Sequence, residues 1–165
     1  IAIDKNVTVA CKSVVKANPH EKVGVFCRMN GHPKVIEYAE LPEKMAEEVD
    51  DNGELKYGES HIMCNLYTID AIEKISKETL MYHSAFKKNS YIDEEGREVI
   101  PEGPNSYKFE SFIFDAFEYF DDMLVMRVKR EDEFAPIKNK EGVDSPETAK
   151  EIYERKMEKD GRTKN

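Results

Sequence analysis

The sequence predicts an α/β layered domain, with a mixed sheet, β-hairpins and flanking helices. Three observations carry this reading. Short β-branched runs alternate with amphipathic stretches over most of the 165 residues. Asn30-Gly31 stands between two apolar runs. An Asn-Gly pair there is the strongest short-range hairpin signal, because both turn positions need a positive φ. Around residue 110, phenylalanines recur at helical spacing. No internal repeat or low-complexity segment interrupts the pattern.

In chain order, VTVACKSVV (7–15) reads as a strand from its β-branched content. VGVFCRM and HPKVIEYAEL form a hairpin about Asn30-Gly31. Pairing outward from that turn sets Met29 against His32, Val25 against Ile36 and Gly24 against Glu37. A carboxylate opposite a residue without a side chain leaves room for a ligand. PEKMAEEVD (42–50) is a short helix opened by proline, and HIMCNLYTI (61–69) is a strand or a buried turn. AIEKISKET (71–79) is a helix, and YIDEEGREVI (91–100) is a second hairpin around a glycine-containing loop. KFESFIFDAFEYF (108–120) gives the clearest helix: Phe109, Phe112, Ile113, Ala116, Phe117 and Phe120 make a buried stripe. At ~100° per residue, Phe114 falls off that stripe. MLVMRVK (123–129) is a buried strand, and the polar loop NKEGVD (139–144) comes later. Asp144 or Ser145 then caps a last helix with Pro146 in its first turn. That helix has only a thin stripe of Ala149, Ile152, Tyr153 and Met157, so it needs a partner surface.

The formal charge of −9, from 25 basic and 34 acidic residues, argues against nonspecific binding to nucleic acid or to acidic membranes. No apolar run is long enough to span a bilayer. Cys11, Cys27 and Cys64 are an odd count without CxxC spacing, which reads as reduced thiols of a cytoplasmic protein. The histidines at 20, 32, 61 and 83 stand at no metal-ligand spacing, so no metal site is assigned. There is no GxSxG, HExxH, Walker loop or GxGxxG, and the Asp-Glu-Glu and Asp-Asp runs read as solvated surface. What remains is a set of isolated anchors suited to binding.

Four segments together resemble the eukaryotic-type UDP-N-acetylglucosamine (UDP-N-acetylhexosamine) pyrophosphorylase family. VGVFCRMNGHPKVIEYAEL looks like its sugar-pocket hairpin. YIDEEGREVIPEGPNS, NSYKFESFIFDAF and REDEFAPIKN come next, in the family's order. The resemblance runs from about residue 7 over nearly the whole chain, and REDEFAPIKN is its most specific piece.

The resemblance implies a Rossmann-like nucleotidyltransferase domain that joins UTP and an N-acetylhexosamine 1-phosphate, with magnesium, into UDP-sugar and pyrophosphate. Gly24 and Glu37 match sugar-contacting positions, in agreement with the hairpin register. Phe112 and Phe114 match the aromatic pair lining the N-acetyl pocket, although core packing explains Phe112 equally well. Lys138 matches the lysine that meets the phosphates. The chain departs from the family at Ser60-His61-Ile62, where the family carries Gly-Asn-Ile against the sugar. His61 offers a single N–H when neutral, which puts sugar specificity in question. The UTP-binding glycine-rich loop, the uracil-reading residues and the magnesium aspartate would all precede this segment, and a further domain would come after it. Residues 1–165 are therefore expected to be the sugar-binding portion of a catalytic domain, inactive alone, with its magnesium ligands elsewhere. A sheet cut from its domain exposes edges, so self-association is expected. Two alternatives stay open: a stand-alone sugar-binding or regulatory module, and a pyrophosphorylase of broader sugar specificity.

Overall fold

A computed structural model describes residues 1–162 of the chain. The strands are β1 (Val9–Val15), β2 (Val25–Met29), β3 (His32–Ile36), β4 (Glu59–Tyr67), β5 (His83–Lys87), β6 (Tyr91–Ile92), β7 (Glu98–Val99), β8 (Ser106–Glu110) and β9 (Leu124–Arg127). The helices are α1 (Glu43–Ala46), α2 (Ile69–Ile75), α3 (Arg130–Glu133) and α4 (Pro146–Lys159), with a 3₁₀ helix over Ile113–Tyr119.

Five strands form the main sheet in the order β3-β2-β4-β1-β9. Its pairs are antiparallel except β1 with β9, which is parallel, so the sheet is mixed as the sequence predicts. The first hairpin keeps its predicted register, with Val25 opposite Ile36 and Met29 opposite His32. Asn30 and Gly31 supply the two positive φ angles, 53° and 86°, that the turn requires. β2 meets β4 only at its base, Val25 against Ser60. The rest of the hairpin is pinned to the 3₁₀ helix and to residues 120–122 just beyond its end. Lys34 pairs with Glu118, Arg28 pairs with Asp122, and the His32 ring lies 3.1 Å from the Phe120 carbonyl.

The 61–69 stretch resolves as strand. β4 carries a bulge in which residues 62–64 oppose Lys12 alone, and Met63 takes a left-handed φ of 56° to accommodate it. α2 begins two residues earlier than predicted, because the Thr68 side chain caps it by accepting from the Ala71 N–H. α1 is a single turn, shorter than the 42–50 prediction. β6 and β7 form the second hairpin.

The largest correction concerns residues 108–120, which are not one helix. β5 pairs with Ser106–Glu110 along its whole length and claims that stretch as β8, so the ladder overrides helical periodicity. Phe109 is consequently exposed. The remainder winds as a 3₁₀ helix, in which residues three apart lie on one face. Phe114, Phe117 and the adjoining Phe120 therefore point together into the core. Phe114, expected off the core face, is only 3% exposed. MLVMRVK is also corrected: β9 is an edge strand and half-buried.

The main core gathers Val9, Cys11, Val35, Ala71, Ile75 and this phenylalanine face. A groove of about 430 Å³ on the sheet, lined by Ala10, Leu66, Leu124 and Met126 among others, stays open. α4 starts at Ser145, whose hydroxyl accepts from the Thr148 N–H while Thr148 Oγ1 accepts from the Ser145 N–H. Its thin stripe finds little cover: Ala149 is buried but Tyr153 is exposed. Lys159 holds α4 to α3 through both oxygens of Asp132 at 2.8 Å. No helix among the described residues is long and apolar enough to cross a membrane.

Candidate functional site

Gly24 lies just before β2 and Glu37 just after β3, so the hairpin register brings them together. A Cβ built on Gly24 would sit 2.8 Å from Val35 Cγ1 and 3.0 Å from Glu37 Oε1, so the space that glycine leaves is filled by Val35 and the Glu37 carboxylate and is not the open ligand space expected from the sequence. The Gly24 carbonyl accepts from the His61 N–H at 2.8 Å, which ties β4 to the same point. The Glu37 carbonyl accepts from the N–H groups of Glu40 and Leu41, turning the chain back over the site. Burial raises the pKa of the Glu37 carboxyl, and the nearby Glu40 and Asp115 carboxylates add to that. Two cations oppose them, His83 and Lys138. Glu37 thus stands in the field of charged groups from its own turn, from β5, from the 3₁₀ helix and from the REDEFAPIKN stretch.

Four rings line up beside it. His61 meets Phe114 edge-on at 5.0 Å, Phe114 stacks on Phe112 at 4.8 Å with 9° between planes, and Phe112 packs on His83 at 5.1 Å. His61 is buried, with the edges or faces of Phe26 and Phe117 also against it. Its Nε2 lies 2.9 Å from Asn65 Oδ1, which makes Nε2–H the donor. Burial lowers its pKa more than that hydrogen bond raises it. Its one N–H is therefore spent within the protein.

His83 is the opposite case. Nδ1 lies 2.8 Å from Glu40 Oε1, and Nε2 lies 2.9 Å from Asp115 Oδ2. Both ring nitrogens face carboxylates, an arrangement that only imidazolium satisfies. Burial alone would lower its pKa, but the hydrogen bonds it donates to Glu40 and Asp115 raise it overall.

The REDEFAPIKN stretch approaches from the far side. Arg130 pairs with Glu21, donates to the Val15 carbonyl and lies over the Phe134 ring at 4.9 Å. The N–H groups of Lys138 and Asn139 both donate to the Asp144 carbonyl, at 2.7 and 3.0 Å, closing a small loop. That loop presents Lys138, whose Nζ donates to the Lys22 carbonyl at 2.6 Å, two residues before Gly24. An ammonium has three N–H bonds, so two are left for other acceptors.

All six sequence-predicted residues, Gly24, Glu37, His61, Phe112, Phe114 and Lys138, therefore fall in one neighbourhood. Sequence reasoning missed the Glu40–His83–Asp115 bridge. His83 and Asp115 are 32 positions apart with no motif between them. Reading 108–120 as one α-helix also gave no reason to look at Asp115. Among the described residues, no group of three or more His, Cys, Asp or Glu side chains is arranged to hold a metal ion.

The sequence model of the UTP--glucose-1-phosphate uridylyltransferase family matches residues 1–145. The chain belongs to that family. Within it, the human UDP-N-acetylhexosamine pyrophosphorylase-like protein 1 is 39% identical over 145 residues, covering 85% of this chain and 29% of that protein. The Saccharomyces cerevisiae UDP-N-acetylglucosamine pyrophosphorylase is 36% identical over 160 residues, covering 92% and 34%. A solved Entamoeba histolytica structure, assigned as a UDP-N-acetylglucosamine pyrophosphorylase, superposes with a TM-score of 0.80 at 32% identity, over 93% of this chain and 39% of that one. The inhibitor complex of the Trypanosoma brucei UDP-N-acetylglucosamine pyrophosphorylase gives 0.73 at 33% identity, over 93% and 30%. The chain spans about a third of the length of these relatives.

Proposed function

We propose that residues 1–165 form the sugar-binding portion of a Rossmann-like nucleotidyltransferase domain. The parent would be a cytoplasmic enzyme that joins UTP and N-acetylglucosamine 1-phosphate into UDP-N-acetylglucosamine and pyrophosphate. One observation carries the reading: the half-buried Glu37 carboxylate lies against bare Gly24, in the field of Lys138 and of the His83 ring on which the Phe112–Phe114 stack packs. A carboxylate accepts hydrogen bonds from adjacent sugar hydroxyls, and the missing side chain at Gly24 lets the Glu37 carboxylate sit where it does. The stacked aromatic pair offers an apolar wall for the N-acetyl group.

In the reaction, a sugar-phosphate oxygen attacks the α-phosphorus of UTP as the bond to the β-phosphate breaks. Lys138 would offset charge on the attacking phosphate and on the departing pyrophosphate. Magnesium belongs to the same reading as the family's cation. Its ligands would lie in the part of the parent enzyme outside residues 1–165. A broader sugar specificity has one observation in its favour. His61, standing where the family has asparagine, gives its N–H to Asn65 and not to a sugar.

Steady-state kinetics on the full-length protein test the reading. Lys138→Ala should lower kcat roughly 10²–10³-fold, the range for a group that meets developing charge. Lys138→Arg should rescue poorly, since a planar fork replaces a point charge. Glu37→Ala should raise KM for the sugar phosphate, because its hydrogen bonds are made before and during reaction alike. Wild-type kcat in Lys138→Ala would reduce that lysine to a surface residue and overturn its assignment.

A further inference from the structure

We propose that His83 is a positioning residue for the sugar subsite, holding Glu40 and Asp115 so that Glu37 and the Phe112 face stay in place. The proposal rests on the reading of Gly24, Glu37 and Phe112 as sugar contacts. Its own support is the bridge. His83 sits on β5, Glu40 lies beyond β3, and Asp115 lies in the 3₁₀ helix, so one ring links three elements that sequence keeps far apart. The ring is also the surface on which Phe112 packs, at 5.1 Å. Remove it, and the outer end of the four-ring series has no backing.

The chemistry excludes a direct role in proton transfer. Both ring nitrogens are engaged by carboxylates, so neither is available to a substrate. What His83 supplies is a fixed cation. The Glu37 and Glu40 carboxylates meet that of Asp115 from a distant stretch of chain, and Lys138 is the other cation in their field. From the neighbouring strand β8, Glu110 stands opposite His83 in the ladder and is itself paired with Lys108 at 2.7 Å. Like-charged carboxylates this close separate or take up protons unless a cation lies between them. Carboxylates that separate would carry Glu37 away from the sugar hydroxyls it accepts from.

The test is kinetics on the full-length protein with His83→Gln and His83→Phe, across pH. Gln keeps one donor, whereas Phe keeps the ring but no donor. Both should raise KM for the sugar phosphate, His83→Phe by about 10-fold, the worth of a hydrogen bond to a charged group. KM for UTP should hold, and kcat should stay near the wild-type value. In the wild type, KM for the sugar phosphate should climb as pH rises and the imidazolium loses a proton, and this climb should vanish in both variants. A role in mere folding would move both KM values together and leave the pH dependence intact, which overturns the proposal. Should His83→Gln fail to fold, Glu40→Gln, on the exposed side of the bridge, must give the same KM selectivity or the proposal fails. Glu37→Ala separates the two levels. If it raises KM for the sugar phosphate and the His83 variants do not, positioning alone is wrong. If none of them does, the sugar-site reading beneath it is wrong.

Discussion

His61 and His83 close the two ends of the same four-ring series, and their surroundings set them in opposite charge states. His61 is walled by Phe26, Phe114 and Phe117 and shares its proton with the Asn65 amide. It behaves as one more aromatic core residue. His83 backs onto Phe112 but lies between two carboxylates. The same side chain is an apolar filler at one end and an ionic clamp at the other. The rings between them change little. Two things differ: His61 is buried beside a neutral amide, whereas His83 is less buried and lies between two anions, so burial sets the pKa of the first and hydrogen bonding that of the second.

The largest expected break in this symmetry comes from Phe117. It is fully buried and touches the rings of Phe26, His61 and Tyr67, so it packs at the His61 end of the series. Phe117→Ala should cost about 3–5 kcal/mol through lost transfer energy and the cavity left behind. Phe112→Ala, at the half-exposed His83 end, should cost distinctly less. Urea denaturation of both variants checks the order. Equal losses would mean that the His83 end is packed as tightly as the other.

The hairpin half of the site was legible in the sequence, because Asn30-Gly31 fixes the turn and a fixed turn fixes the register. Gly24 beside Glu37 comes from counting outward. The Lys138 stretch was legible as a resemblance, although the Asp144 carbonyl that closes its loop was not. The 108–120 stretch misled for a physical reason. Phenylalanines spaced for an α-helix satisfy a 3₁₀ face nearly as well, and only pairing with β5, distant in sequence, decides where the strand ends. His83 was invisible for the same reason: its partners come from elements that only the fold brings together.

A smaller effect sharpens the contrast between the histidines. The pKa of His83 is raised in the folded state, so its stabilisation is fully present below the ordinary imidazole value of about 6.5 and is lost as pH rises through the raised value. The pKa of His61 is lowered, so its contribution is present above about 6.5 and is lost as pH falls through the lowered value. The stability advantage of wild type over His83→Gln should therefore narrow toward alkaline pH. Its advantage over His61→Gln should narrow toward acid. Urea midpoints measured across the neutral range on either side read both slopes, and slopes of the same sign would mean that the two rings share one environment after all.

The smallest expected effect lies one residue from His61, on the other face of β4. Ser60 is fully buried between Val14 and Val25, its partners on the two flanking strands. Its Oγ is the one buried side-chain polar atom among the described residues without a hydrogen-bond partner. A buried hydroxyl in that position forfeits its hydration and receives nothing back, a cost on the order of 1–3 kcal/mol. Ser60→Ala removes the hydroxyl, keeps the Cβ and leaves the backbone ladder intact. It should stabilise the chain by about 1 kcal/mol, the low end of that range, because the methyl left behind fills less of the site. Ser60→Gly should gain less, since glycine gives back roughly 0.5–1 kcal/mol in backbone entropy. The order Ala above Gly in urea midpoint is the outcome expected. A loss of stability in Ser60→Ala would show that the hydroxyl has a partner, and that this face of β4 is as polar as the His83 end of the site.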